Sequence, residues 1–174
     1  FIIALDYLLE MAPDSPQASR WKSLREGIER NVRAHLWDVK RQKFIPHIYP
    51  EKSPIPEGFD ELAIHYHGGT AIAIEAGLLS EDEIRSVNAQ MLENVRLSGM
   101  PSIGLTLYPV YPDGFFHGGM SKAYLYQNGG DWTWFGGRMI QQLVVNGMVE
   151  EAYAEIHPMI ERVIQNDGFY EWYG

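Results

Sequence analysis

The chain contains no cysteine. That excludes a disulfide framework and a thiolate metal site, so an apolar core must carry the stability. Long apolar runs are also missing. No stretch approaches the ~18 residues a membrane span needs, since even the apolar opening segment Phe1–Ala12 carries Asp6 and Glu10. Basic residues are scarce: 14 Lys and Arg stand against 23 Asp and Glu, a net charge of −9. Nucleic acid and anionic membranes are bound through clustered cations, so neither is expected as a partner, and a neutral or cationic ligand fits better. The start has none of the succession that marks a signal peptide. A chain that begins inside an apolar segment is expected to be cut from something longer. These features predict a soluble chain and leave its compartment open.

What is present is a large apolar fraction, 45% of 174 residues, enough for one domain that buries roughly 70% of its unfolded surface. It is distributed as a repeat. Phe1–Ala12, Gly68–Leu79 and Trp132–Asn146 are apolar nearly all the way round, which predicts helices buried on every side. Each is followed by a helix with one apolar stripe: Trp21, Leu24, Ile28, Val32 and Leu36; then Ile84, Val87, Met91 and Val95; then Val149, Ala152, Tyr153, Ile156, Ile160 and Val163. The turns agree. Pro13 and Pro16 separate the first pair, Ser80 and Glu83 form a capping-box pattern, and Asn146-Gly147 is a stop-and-restart signal. Gly77 and Gly147 lie 70 positions apart, and the first turn lies about as far upstream, which gives three helical hairpins.

Long connections, Asp38–Tyr66 and Met100–Gly130, join the hairpins and hold short alternating stretches at Phe44–Tyr49 and Leu105–Tyr111. Loops of that length in a compact domain are usually functional. Inner helices, outer helices and loops gathered at one end describe an all-α, α/α toroid, of which three hairpins make half.

The chemistry-bearing residues cluster late. Tyr126, Gln127, Asn128, Gly129, Gly130, Asp131, Trp132, Thr133 and Trp134 open the last inner helix, and Phe169-Tyr170-Glu171-Trp172-Tyr173 follows the last outer one. Rings that cover the apolar faces of a pyranose, beside amides and carboxylates that take its hydroxyls, are the materials of a sugar site. Each feature also has a plain reading. Asn128–Asp131 is a common turn and helix cap, and Glu171 in an aromatic terminal strand is ordinarily a solvated edge residue. His65 and His67 have strand-like spacing that could hold a metal, but no third ligand lies nearby, which favours hydrogen-bonded loop histidines. Trp21 and Trp37 fall on helix faces as core residues, and Glu81-Asp82-Glu83 is a favourable first helical turn.

From His67 onward the chain resembles the C-terminal half of the six-hairpin glycosidases, in particular the clan of neutral and alkaline invertases, trehalases and processing glucosidases. Tyr126-Gln127-Asn128-Gly129-Gly130-Asp131-Trp132 stands for their Tyr-His-Asn-Gly-Gly-x-Trp, Phe169–Gly174 for their Pro-Glu-Tyr-Tyr-Asp, and Tyr108-Pro109 for a Tyr-Pro upstream. Gln127, Thr133 and Gly174 depart from the pattern and bear on the substrate rather than the fold. The resemblance implies an inverting glycoside hydrolase acting on a neutral, glucose- or sucrose-type glycoside, with no cofactor or metal. Glu171 would be its general base. Tyr126, Asn128, Gly129, Gly130, Asp131, Trp132 and Trp134 would form the sugar pocket, Asp131 as a ligand to sugar hydroxyls. The acid partner is expected upstream of Phe1, and Asp60, Glu61 and Asp131 are the acids on likely site-facing segments within the chain. Half a toroid should be inactive alone and prone to self-association. A non-catalytic carbohydrate-binding module is the alternative, and an isoprenoid- or peptide-binding α/α protein a third reading.

Overall fold

A computed structural model describes residues 1–116 and 122–173; Gly174, one of the departures noted above, lies outside them. Among the described residues there are six α-helices in three consecutive pairs: α1 (Ile2–Met11) with α2 (Ala18–His35), α3 (His67–Glu75) with α4 (Glu81–Ser98), and α5 (Thr133–Val145) with α6 (Val149–Gln165). Each helix packs on its pair partner, and α3 packs on α5. Ile2 of α1 joins Ala73, Ala76 and Leu78 in a second cluster, so the first helices of the three pairs are neighbours. None of the helices is long and apolar enough to cross a membrane.

The helix ends follow from local chemistry. α3, α5 and α6 close alike: Gly77, Gly147 and Asp167 adopt left-handed φ of 70°, 77° and 51°. Their N–H groups bond three residues back, and those of Leu78, Met148 and Gly168 bond five back, which satisfies carbonyls a helix end would leave bare. This is why α3 stops at Glu75 rather than Leu79. α4 opens with the expected box, in which Ser80 Oγ accepts from the Glu83 N–H while the Glu83 side chain accepts from the Ser80 N–H.

The main core joins Ala71 and Ile74 of α3, Ile84, Val87 and Met91 of α4, Met139 and Leu143 of α5, and Ala152 and Met159 of α6. A Cβ on Gly68 would overlap the Phe135 ring, so glycine sets how closely α3 approaches α5. In the middle hairpin the apolar stripe of α4 falls inward as expected, but α3, expected to be buried all round, leaves Ile72 39% exposed, and the outer two hairpins depart further. α1 was expected to be buried all round but buries only Ile2 and Leu5, and Tyr7 and Met11 are 58% and 75% exposed. α2 buries no residue fully. On α6 the buried positions are Ala152, Glu155, Met159 and Arg162, while Val149, Tyr153, Ile156 and Ile160 face outward. The reason is position in the row: these helices have neighbours on one flank only.

The strands are shorter than expected. β1 (Trp37–Asp38) pairs antiparallel with β2 (Lys43–Phe44), and β3 (His65–Tyr66) with β4 (Leu107–Tyr108). Trp37 is core, as expected, but from β1 rather than a helix; its ring meets Phe44 edge-on at 5.0 Å. Single bridges Leu105–Asp131 and Asp131–Tyr173 extend the second pair, so four chain segments lie side by side where α3 and α5 begin.

Candidate functional site

The four segments bring Glu171 and the Tyr126–Trp134 motif to one end of the molecule. Asp131 and Tyr173 exchange both backbone hydrogen bonds, at 2.9 and 2.8 Å. The Tyr126 ring lies 4.9 Å from Trp132 and 6.0 Å from Trp172.

Within that grouping most of the motif's polar groups hold the fold together. Asp131 is completely buried. Its carboxylate contacts the Arg162 guanidinium and accepts from the Ser102 hydroxyl and N–H. Burial pushes this carboxyl up, against the pull of Arg162 and Ser102. The expectation that Asp131 binds sugar hydroxyls is therefore corrected: a guanidinium occupies the face a ligand would need. Asn128, 2% exposed, clamps Tyr111 by accepting from its N–H at 2.8 Å and donating to its carbonyl at 3.0 Å. Gly129 sits at φ 92° against Val110, and a Cβ on Gly130 would strike the Tyr126 carbonyl, so both glycines serve a tight turn. Trp132 donates its indole N–H to the Tyr126 carbonyl at 2.9 Å and is 8% exposed. Asn128, Gly129, Gly130 and Trp132 thus act as parts of a packed knot rather than as an open sugar wall. Tyr126 is half-buried, and Trp134 is exposed, with the Arg138 guanidinium 5.0 Å from its ring centre.

Glu171 is exposed and makes no hydrogen bond or ion pair among the described residues. Four rings do not enclose it. Trp172 and Tyr173 anchor the tail, the latter under the Arg162 guanidinium at 4.1 Å, while Phe169 and Tyr170 face solvent.

A second carboxylate stands out at this end. Glu61, in a 3-10 turn at Glu61–Ala63, accepts at one oxygen from Tyr49 Oη at 2.8 Å and Tyr111 Oη at 2.7 Å, with His47 Nδ1 at 2.7 Å. Tyr66 donates to Tyr111 at 3.1 Å, and Phe115 stacks on Tyr111 at 4.6 Å between centroids. Burial would raise the Glu61 carboxyl, but the donated hydrogen bonds and His47 outweigh it and hold the group below its ordinary range. The same burial and hydrogen bonding push Tyr49 up to about 12. A carboxylate ringed by neutral hydroxyls and aromatic faces can exchange those hydroxyls for a polyol's. Its neighbour Asp60 is exposed. Sequence reasoning flagged Glu61 as an acid on a site-facing loop but missed its cage, since only the alternation His47-Ile48-Tyr49 hints at two groups on one side of the chain.

The histidine pair is corrected as well. His65 in β3 and His67 at the start of α3 are interior groups rather than loop histidines, 2% and 0% exposed, their rings 5.2 Å apart. His65 Nε2 meets Thr70 at 3.1 Å and His67 Nε2 meets Asn94 at 3.1 Å. Burial depresses both, His65 to about 3. No group of three or more His, Asp or Glu side chains among the described residues could hold a metal ion.

The chain matches no protein-family model, no curated protein and no solved structure.

Proposed function

We propose that the chain forms three hairpins of an α/α toroid in an inverting glycoside hydrolase acting on a neutral glycoside, with Glu171 as general base. The observation that carries the reading is the convergence at one end: the tail bearing Glu171 runs antiparallel to Asp131 where α5 begins, beside Tyr126 and Trp172. An exposed carboxylate on a tail held by the next two residues, Trp172 and Tyr173, is positioned yet open to water, as a base that activates water must be. In such a reaction the acid stands roughly 6.5–9.5 Å from the base. Glu61 is not that acid, because its donors hold it ionised; it serves instead as an acceptor for sugar hydroxyls among Tyr49, Tyr66 and Tyr111.

The test is Glu171→Gln in the intact protein. Gln is nearly isosteric, so melting temperature and sugar binding should stay unchanged while turnover falls about 10²–10⁴-fold. Azide with a glycosyl fluoride should restore part of the loss. Near-wild-type turnover would remove Glu171 from the mechanism. A second reading, a non-catalytic carbohydrate-binding module, is favoured by the Glu61 cage, which offers hydroxyl acceptors without a catalytic partner among the described residues, and it would then lead.

A further inference from the structure

An open pocket of about 600 Å³ is lined by Arg41, Lys43, His65, Gln90, Glu93 and Asn94, with Ala63 and Ala89 among its apolar walls. Two of its groups are unusual. Lys43 is 4% exposed, and its Nζ donates to the Ala63 and Ile64 carbonyls, both at 2.6 Å. His65 is 2% exposed with Nδ1 lacking a hydrogen-bond partner. The tautomer follows from its neighbour. Thr70 gives its one hydroxyl proton to the Tyr66 carbonyl at 2.7 Å, so it accepts from His65 Nε2–H, and Nδ1 is a bare acceptor. An amine and an unpaired acceptor thus line one pocket.

We propose that Lys43 is a carbonyl-reactive amine in a second site, which takes a small hydroxyaldehyde as a reversible imine while His65 Nδ1 accepts a hydroxyl of the same ligand. The neutral amine keeps both N–H groups on the Ala63 and Ile64 carbonyls and has its lone pair for the reaction. That pair bonds to the aldehyde carbon, the carbonyl π pair moves to oxygen, and the oxygen takes a proton from nitrogen. The carbinolamine hydroxyl takes a second proton from solvent and leaves as water while the nitrogen lone pair forms the C=N bond, giving a protonated imine that retains one N–H for a main-chain carbonyl; loss of that proton to solvent leaves imine and water as the net products. Desolvation first, and then the charge of Arg41, favour the free amine over the opposing charges of Asp60 and Asp38, and bring Lys43 down to about 8. His65 is neutral, and Glu93 on the rim is paired with Arg96 at 2.6 Å.

The other lysines, Lys22, Lys40, Lys52 and Lys122, are exposed and serve as internal standards. The chain is treated with glycolaldehyde and cyanoborohydride, which reduces an imine to a stable secondary amine, and the adducts are mapped by peptide mass spectrometry. At pH 7.5 an ordinary lysine is free to about one part in a thousand, so Lys43 should be labelled at least about ten-fold faster than the other four. Its rate should rise through pH 8 and level off while theirs still climb. Urea should abolish the preference, and Lys43→Arg should remove that adduct alone. Glycolaldehyde should outpace acetaldehyde at Lys43, an advantage that His65→Phe removes. Labelling of Lys43 no faster than the exposed lysines overturns the proposal, and equal rates for the two aldehydes overturn the role of His65.

Discussion

Asp131 and Glu61 are both carboxylates at the end of the molecule where α3 and α5 begin, and they are held in opposite ways. Asp131 is sealed from solvent and faces a guanidinium, itself buried, from α6. Glu61 keeps 10% of its side chain exposed and faces two phenols and an imidazole. A guanidinium cannot leave without stranding a buried charge, whereas a phenol can yield its place to another hydroxyl at little cost. The carboxylate in the glycine-rich motif is therefore structural. The one in the long loop before β3 is held by exchangeable donors.

The largest effect should come from breaking the first arrangement. Arg162→Met leaves the Asp131 carboxylate buried and unpaired, and urea denaturation should show a loss of about 3–5 kcal/mol. A loss below about 1 kcal/mol would put Asp131 in the same class as Glu61. A third carboxylate sharpens the contrast. Glu155, 5% exposed between α4 and α6, has one partner, Asn88 Nδ2 at 2.7 Å, and burial lifts it to about 7. Because its folded value is raised, its stabilising contribution is whole below the ordinary carboxylate value and is lost as the pH rises through about 7. The shift corresponds to about 3 kcal/mol between pH 4 and pH 8, and Glu155→Gln should flatten that slope in denaturation measured at both ends.

Glu61 carries the opposite sign. Its folded value is lowered, so its contribution is present above the ordinary carboxylate value and is lost as the pH falls through the depressed one. Glu61→Gln should cost about 1–2 kcal/mol near neutrality and should make acid unfolding less steep. The smallest effect should be that of Tyr49→Phe, which removes one of three donors at the cage edge and should cost about 1 kcal/mol or less in thermal denaturation.

The hairpins could be read in the sequence because helix periodicity and stop signals are local. Ile84, Val87 and Met91 fall inward as their spacing requires, and Ser80 with Glu83 caps α4 as its pattern requires. The burial of α1 and α6 could not, because an apolar stripe records what a helix can bury and not whether a neighbour is there to bury it; hence Tyr7 and Ile160 are exposed. The motif was legible as residue types, but its sequence did not show that Asp131, Asn128 and Trp132 use their polar groups in packing. Nothing near Asp131 in the chain announces Arg162, which comes from another helix.

Local sequence thus determined the three helix pairs, their caps and the meeting of aromatic and amide groups before α5, because each depends on residues a few positions apart. Only the tertiary structure decided which carboxylate is locked and which is open. Asp131 is set by Ser102 and Arg162, 29 and 31 positions away, and Glu61 by Tyr111, 50 away. The state of a buried charge is fixed by whatever lies within a few ångströms of it, and the folded chain draws those neighbours from anywhere along its length.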